Sequence, residues 1–425
     1  MKMKKNNLLI LAVAALGFAA CANDETTAVN EKLAESNAIS FRANVGGQMR
    51  AVDITTSNLS SFKAYAKLSS DGTSTYFSED EFTKSGSTFN STARHYWPAS
   101  GSLDFYAYAP ATPTQYTHST TETLSFVVTP DDNVAQQVDL VVANTNGKSK
   151  AGQYLDSDPY NSSAASPNKT YGADGIPLNF RHAESKVVVL FKNTNSNLKI
   201  DVKAFKIVNV DNSATYTYTK ASNTSTDVNN TDPTSTGTTL NSEWTDNTTF
   251  DHTYTVTPTN TNQIATSTAV YLQDGGTAST TVNEDICMIL IPQETTEVGV
   301  YTGSSIGDAL ESDKTYIAVK MIIRNNDSLD DGTGGGTPNT NGTIIADASA
   351  DGKWAIWPVA FTWVPGKKYI YTIDLADGGY WEKNDKGDDT ALDPVLAGAE
   401  IKFVQVTVDD WDNNAVNVPA APAVP

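Results

Sequence analysis

Along most of the chain, apolar and polar residues alternate over five to eight positions and then break at Gly, Pro, Asn, Asp or Ser. Leu103-Asp-Phe-Tyr-Ala-Tyr-Ala109, Ala204-Phe-Lys-Ile-Val-Asn-Val210, Tyr316-Ile-Ala-Val-Lys-Met-Ile-Ile323 and Tyr369-Ile-Tyr-Thr-Ile-Asp-Leu375 are examples. A period of two places successive side chains on opposite faces of a strand, and no long stretch repeats apolar residues at the helical interval. The pattern predicts an all-β protein whose strands are half-buried, as in antiparallel sandwiches, and not the continuous apolar strands of a parallel sheet.

The breaks in this pattern divide the chain. Residues 1–20 read as a signal, 21–37 as a polar tether, 38–174 as an N-terminal β-sandwich whose first strand is 38–50, and 175–425 as a C-terminal β-sandwich ending in a terminal strand region, 400–425. The expected fold is therefore two tandem antiparallel Greek-key β-sandwich domains with long polar loops. The polar stretches 144–174, 221–239 and 325–342 are the loops. Tyr96-Trp-Pro before the strand at Leu103, and Thr362-Trp-Val-Pro-Gly366 before the strand at Tyr369, repeat one hairpin grammar in both halves.

The N-terminus changes the picture most. Lys2, Lys4 and Lys5 precede an apolar run of thirteen residues, Leu8 to Ala20, that stops at Cys21. The run is too short to span a bilayer, and its basic, apolar, small-residue order is that of a cleaved export signal. Phe18-Ala-Ala-Cys21 looks like a lipobox, which makes Cys21 a lipidation site and the first residue of the exported chain; an ordinary signal cut nearby is the alternative. Cys287 is then the single remaining thiol, so no intrachain disulfide is expected, and its place in Ile286-Cys-Met-Ile-Leu-Ile291 reads as core.

The full chain of 425 residues carries 29 basic and 49 acidic residues; without the three signal lysines, 26 face 49, a net charge of −23. Such a surface repels nucleic acid and anionic lipid.

Motifs for chemistry are few. Gly303-Ser-Ser-Ile-Gly307 has nucleophile-elbow spacing, but all four histidines, His95, His118, His182 and His252, precede it and no βαβ pattern surrounds it. The histidines do not have metal-ligand spacing. Asp327-Ser-Leu-Asp-Asp-Gly332 places Leu329 and Pro338 where a calcium loop needs oxygen ligands. No cofactor, metal or enzymatic activity is expected. Tyr216, Tyr218, Trp244 and Trp381 stand in polar surroundings, as stacking platforms for a sugar or protein or, more commonly, as caps on a sandwich core.

Several stretches together resemble the fimbrillin family of Bacteroidetes, lipoprotein-derived fimbrial subunits. They are Ile39-Ser-Phe-Arg42, Asn58 to Ala66, Tyr96-Trp-Pro with Leu103 to Tyr108, Leu178 to His182 with Lys186 to Val189, Phe361 to Tyr369, and Ile401 to Trp411. The acidic Ala22-Asn-Asp-Glu25 after Cys21 is similar to a surface-export tag of lipoproteins in such bacteria.

The resemblance implies export to the outer membrane through a lipid on Cys21. An arginine-specific protease then removes the first strand, and a strand from another fimbrial subunit replaces it. Arg50, before Ala51, is the expected cleavage site because Gly46-Gly47 keeps the preceding loop accessible; Arg42 is the other candidate but lies within the predicted strand. The donor candidates are Ile401 and Phe403 in one phase, and Val404, Val406 and Val408 in the other, with Trp411 beyond. An exposed strand edge beside an uncovered core favours such addition. The implied location is the outer membrane surface, then the fimbrium. The competing expectation is a monomeric surface lipoprotein that binds glycan or host protein through the loops 221–239 and 325–342.

Overall fold

The computed structural model describes residues 38–45, 54–68, 70, 72–112, 115–118, 125–148, 175–218, 243–246, 249–296, 314–325, 344–346, 351–376, 379–382, 395 and 405–410. These residues form strands and two short 3-10 turns, without an α-helix. The N-terminal half contributes β1 (Ser40–Val45), β2 (Ser61–Leu68), β3 (Thr75–Ser85), β4 (Thr88–Ser91), β5 (Leu103–Ala109), β6 (Tyr116–His118), β7 (Ser125–Val128) and β8 (Val141–Lys148). Next come β9 (Ile176–His182), β10 (Ser185–Lys192), β11 (Leu198–Val210), β12 (Ala214–Thr217), β13 (Trp244–Asp246), β14 (His252–Val256), β15 (Asn262–Ile264) and β16 (Met288–Leu290). The last are β17 (Gln293–Glu294), β18 (Tyr316–Asn325), β19 (Ile344–Ala346), β20 (Lys353–Pro358), β21 (Thr362–Trp363), β22 (Lys367–Asp374), β23 (Tyr380–Trp381) and β24 (Gln405–Asp410).

Seven strands close into a barrel in the order β1-β4-β3-β2-β5-β8-β9, and β1 completes it by pairing in parallel with β9. Alternation sorts the side chains: Phe62, Ala64 and Ala66 of β2 and Leu103, Phe105 and Ala107 of β5 point into one core with Phe41, Phe82, Phe89, Leu178 and Phe180. The expected boundary at 174 therefore falls one strand early. β9 lies beyond the polar stretch but returns to the first barrel, beside β1 and β8. A polar segment marks a loop; it does not reveal whether the chain leaves the sheet afterwards.

The C-terminal half stacks a sheet in the order β14-β11-β18-β20-β23, with β15 and β19 attached, on a second sheet, β16-β10-β22-β24. Their facing side chains form the larger core, which includes Val187, Val189, Phe205, Ile207, Val319, Trp357, Trp363 and Tyr371. Cys287 lies in it, almost fully buried, as its apolar run predicts.

A fourth sheet, β13-β12-β7-β6, takes strands from both halves. Phe126 of β7 is in register with Tyr216 of β12. It covers the outer face of the barrel, where Tyr65, Tyr106, Tyr108 and Val142 meet Phe126, Tyr216, Tyr218 and Trp244. Every residue of β5 is consequently buried, odd positions inward and even positions under this cover. Burial, with Asp104 adding its charge, pushes the Tyr106 hydroxyl up to about 12.

Ionic and backbone contacts fasten the same junction. Arg181, on β9, donates to Glu243 at 2.7 and 2.8 Å, to Asn144 at 3.1 Å and to the Tyr216 hydroxyl at 3.2 Å. Burial alone pushes the guanidinium pKa down; Glu243 more than offsets this, so the group stays cationic. One turn later Ala183 donates its N–H to Leu140, and the carbonyl of Glu184 accepts from Gly366 at 2.8 Å. The chain thus passes from barrel to second sandwich through a fixed two-residue step between β9 and β10.

Candidate functional site: a groove filled by the first strand

β1 is six residues long, yet it occupies the most aromatic part of the barrel. Phe41 is fully buried, and its ring meets those of Phe82, Phe105 and Phe62 edge-on, with centroids 4.7, 5.2 and 5.7 Å away. Ile39 and Val45 share its inward phase and are buried as well. Full burial of each such side chain contributes about 1.5–3 kcal/mol.

The main chain of β1 is held along its length. Five residue pairs, Phe41 with Ile176 through Val45 with Phe180, form the parallel ladder to β9, while Ser40 and Phe41 face Asn90 and Phe89 of β4. At one end Ile39 donates its N–H to the His95 carbonyl at 2.7 Å, and Ala38 bridges Tyr96. At the other, Val45 donates to Thr56 Oγ1 at 2.8 Å and its carbonyl accepts from the same hydroxyl at 3.0 Å. Ile54 then donates its N–H to Asp139 Oδ2 at 2.9 Å. Both borders of the segment containing the Arg50–Ala51 bond are therefore fixed to the barrel.

Gly175 sets how close β1 can come. Its φ is +71°, and a Cβ there would lie 2.7 Å from the Phe41 carbonyl carbon. Without β1, the barrel would present a slot lined by Phe62, Phe82, Phe89, Phe105, Leu178 and Phe180, flanked by the unpaired edges of β4 and β9. A slot of this kind is suited to one extended peptide, with main-chain bonds for affinity and alternate side chains for register.

The remaining residues singled out by the sequence fall as follows. Arg42 lies inside β1, paired in the ladder with Pro177. Cys21, Arg50, Ala51, Ile401, Phe403, Val404 and Trp411 lie outside the described residues, as do Gly303 to Gly307, the loop 221–239 and all of the loop 325–342 beyond Asn325, which ends β18. Val406 and Val408 lie on β24, which runs antiparallel to β22 at the edge of its sheet. They are 43% and 53% exposed, so these two valines of β24 are held by the ladder with little side-chain burial.

Of the two readings of the aromatics in polar surroundings, the caps on a core are what the structure shows. Tyr216, Tyr218 and Trp244 are buried under the bridging sheet and Trp381 in the C-terminal core. Their covering partners come from distant parts of the chain, which a local window of polar neighbours does not show. His95 pairs with Asp80 and stacks on Phe77, whereas His182 pairs with Asp139. Among the described residues, no three His, Cys, Asp or Glu side chains gather as a metal site.

The fimbrillin-like family profile matches residues 42–411 of this chain, from within β1 to just past β24. The chain belongs to the fimbrillin-like family. Membership supports a structural or adhesive role in fimbriae at the cell surface. No curated protein matches the chain. Among solved structures it is similar to a fimbrial protein from Bacteroides vulgatus, at 15% identity and a TM-score of 0.44 over 88% of this chain and 99% of that one. It is similar also to a tip fimbrial protein from Porphyromonas gingivalis with a C-terminal truncation, at 9% identity and 0.35 over 88% and 98%. A fimbrilin from the same organism matches at 9% identity and 0.35 over 88% and 97%.

The aromatic slot and the strand filling it are a part of the described fold shaped to hold one extended peptide. Sequence reading found the strand but missed Gly175, which stands in an Asp-Gly pair just before β9. The missed signal was this lone glycine opening a strand, where close backbone approach is one of the uses of the residue.

Proposed function

We propose that this chain is a structural subunit of surface fimbriae, exported as a lipoprotein through Cys21 and assembled by exchanging β1 for a strand of a neighbouring subunit. In this reading an arginine-specific protease hydrolyses the Arg50–Ala51 bond, leaving a carboxylate on Arg50 and an ammonium on Ala51. The observation that carries the reading is the seat of Phe41. One short strand near the N-terminus supplies a central side chain of the barrel core, and membership in a fimbrial family supports reading that seat as the place of assembly.

The cut changes kinetics before it changes structure. Before cleavage, β1 is covalently joined to the barrel through the chain between Val45 and Ile54, both of which are bonded to it, so any opening recloses at high effective concentration. After cleavage, β1 keeps its contacts but loses the tether, and a competing strand can replace it. Cleavage after Arg42 would have to engage a residue already paired within the ladder, which favours Arg50.

The test is the assembly state of surface material. High-mass ladders that collapse to monomer on heating, and vanish in an Arg50→Ala chain, are expected. A monomer that stays on the membrane in both forms would overturn the reading.

A further inference from the structure

The end of the first strand and the step between the two sandwiches share one mounting. Thr56 Oγ1 holds both main-chain groups of Val45, accepting from its N–H at 2.8 Å and donating to its carbonyl at 3.0 Å. Thr56 belongs to a turn that braces itself. Thr55 donates its N–H to Asn58 Oδ1 at 2.6 Å, and Leu59 donates to the Thr55 carbonyl at 2.8 Å. An exposed bond from Lys84 Nζ reaches the Thr56 carbonyl at 3.3 Å, whereas Ile54 anchors the turn inside the protein, on Asp139 Oδ2.

Asp139 is fully buried and is itself fixed. Both of its carboxylate oxygens lie 2.9 Å from His182 Nδ1. A carboxylate only accepts, so the imidazole donates from this nitrogen. His182 ends β9, two residues after Phe180, the ladder partner of Val45. The next residues continue the joint. The Leu140 carbonyl accepts from Ala183 at 2.8 Å, the Leu140 N–H donates to Glu184 Oε2 at 2.9 Å, and the Glu184 carbonyl accepts from Gly366. Asp139-Leu140 therefore holds the border of β1 with a side chain and the step to the second sandwich with its main chain. Buried groups of this kind are costly to leave unpaired, so a displacement at one end is resisted at the other.

We propose that Asp139 is a positioning residue that couples the seating of a strand on Thr56 to the geometry of the step between the sandwiches. Its bearing on assembly rests on the strand-exchange reading above. A filled slot keeps Thr56 engaged, Ile54 on Asp139, and His182 and Leu140 in place. An emptied slot releases Thr56, and the loss passes through Ile54 to the step. Such coupling is reciprocal, so a loosened step weakens the hold on the strand by the same factor. Ile54 follows the Arg50–Ala51 bond in sequence and stays with the barrel after the cut, so the device acts on whichever strand fills the slot next.

Amide hydrogen exchange on the full, uncut chain tests the coupling from both ends. His182→Leu removes the donor to Asp139, and His182→Asn restores a donor near the place of Nδ1. Thr56→Val removes the hold on Val45 from the far end. Ile373→Ala, in the second core, serves as a control for general loss of stability. The expected result for His182→Leu is exchange about tenfold faster at Val45 and Ile54, with parental rates in His182→Asn. Thr56→Val should speed Leu140 and Ala183 by about the same factor, while β11 and β18 keep parental rates in both variants. Unchanged exchange at Val45 in His182→Leu, no rescue by His182→Asn, or acceleration spread evenly as in the control overturns the coupling. Parental rates at Leu140 and Ala183 in Thr56→Val overturn it too, and this arm decides alone if His182→Leu does not fold, since Thr56 is exposed. A parent chain that is fully cut and forms no ladder overturns strand exchange instead and leaves the exchange rates of the uncut chain to decide the coupling.

Discussion

Gly175 presses on the backbone of Phe41. A Cβ at Gly175 would lie 2.7 Å from the Phe41 carbonyl carbon and 2.9 Å from its oxygen, and the glycine φ of +71° is one that other residues adopt only under strain. Gly175→Ala should therefore lift β1 from β9 and lower stability by about 2 kcal/mol or more. Urea denaturation checks the value. A midpoint equal to that of the parent would show that the barrel relaxes freely around β1.

Phe41 should be among the most sensitive residues of the barrel. It is fully buried against three phenylalanines, so Phe41→Ala leaves a cavity and should cost about 3–5 kcal/mol, whereas Phe41→Leu keeps most of the volume and should cost clearly less. Equal denaturation midpoints for the two variants would contradict the aromatic box.

Glu184 makes stability depend on pH. Burial pushes its carboxyl well above the usual range, against the Leu140 N–H, which pulls it down. A folded-state value above the unfolded one gives a contribution that is fully present below about pH 4.5 and is lost as pH rises through the folded value. Glu184→Gln retains an acceptor for Leu140 and removes the titration. Its stability relative to the parent should rise from pH 4 to pH 8 in denaturant titrations; a difference independent of pH would refute the assignment.

Arg181 and Glu243 tie β9 to the bridging sheet as a buried pair. Arg181→Met leaves Glu243 buried without its cation and should cost about 3–5 kcal/mol, and adding Glu243→Met should recover most of the loss. A double-mutant cycle in urea measures this. Additive losses would show that the two side chains act independently.

The strands were legible where alternation was local. Leu103 to Ala109 and Tyr369 to Leu375 carry their faces in their own spelling, and the structure places both as β5 and β22. Two features were hidden because distant residues create them. Tyr216, Tyr218 and Trp244 look exposed beside Thr and Asn, yet Tyr106, Tyr108 and Phe126 cover them. β9 looked like the start of a new domain because the signal available was a polar break, while its pairing with β1 depends on a return across it. At the groove, Ile39 and Phe41 were legible as a strand. The partners that make it a plug, Phe62, Phe82 and Phe105, are spread over three further strands and acquire that meaning only when the barrel closes.

The central claim is that β1 is a provisional strand, lost when the bond between Arg50 and Ala51 is cut. N-terminal sequencing of assembled surface material tests it most directly. The account predicts a chain beginning at Ala51, and none of that assembled material from an Arg50→Ala chain. Assembled material that still begins at an acylated Cys21 would contradict it.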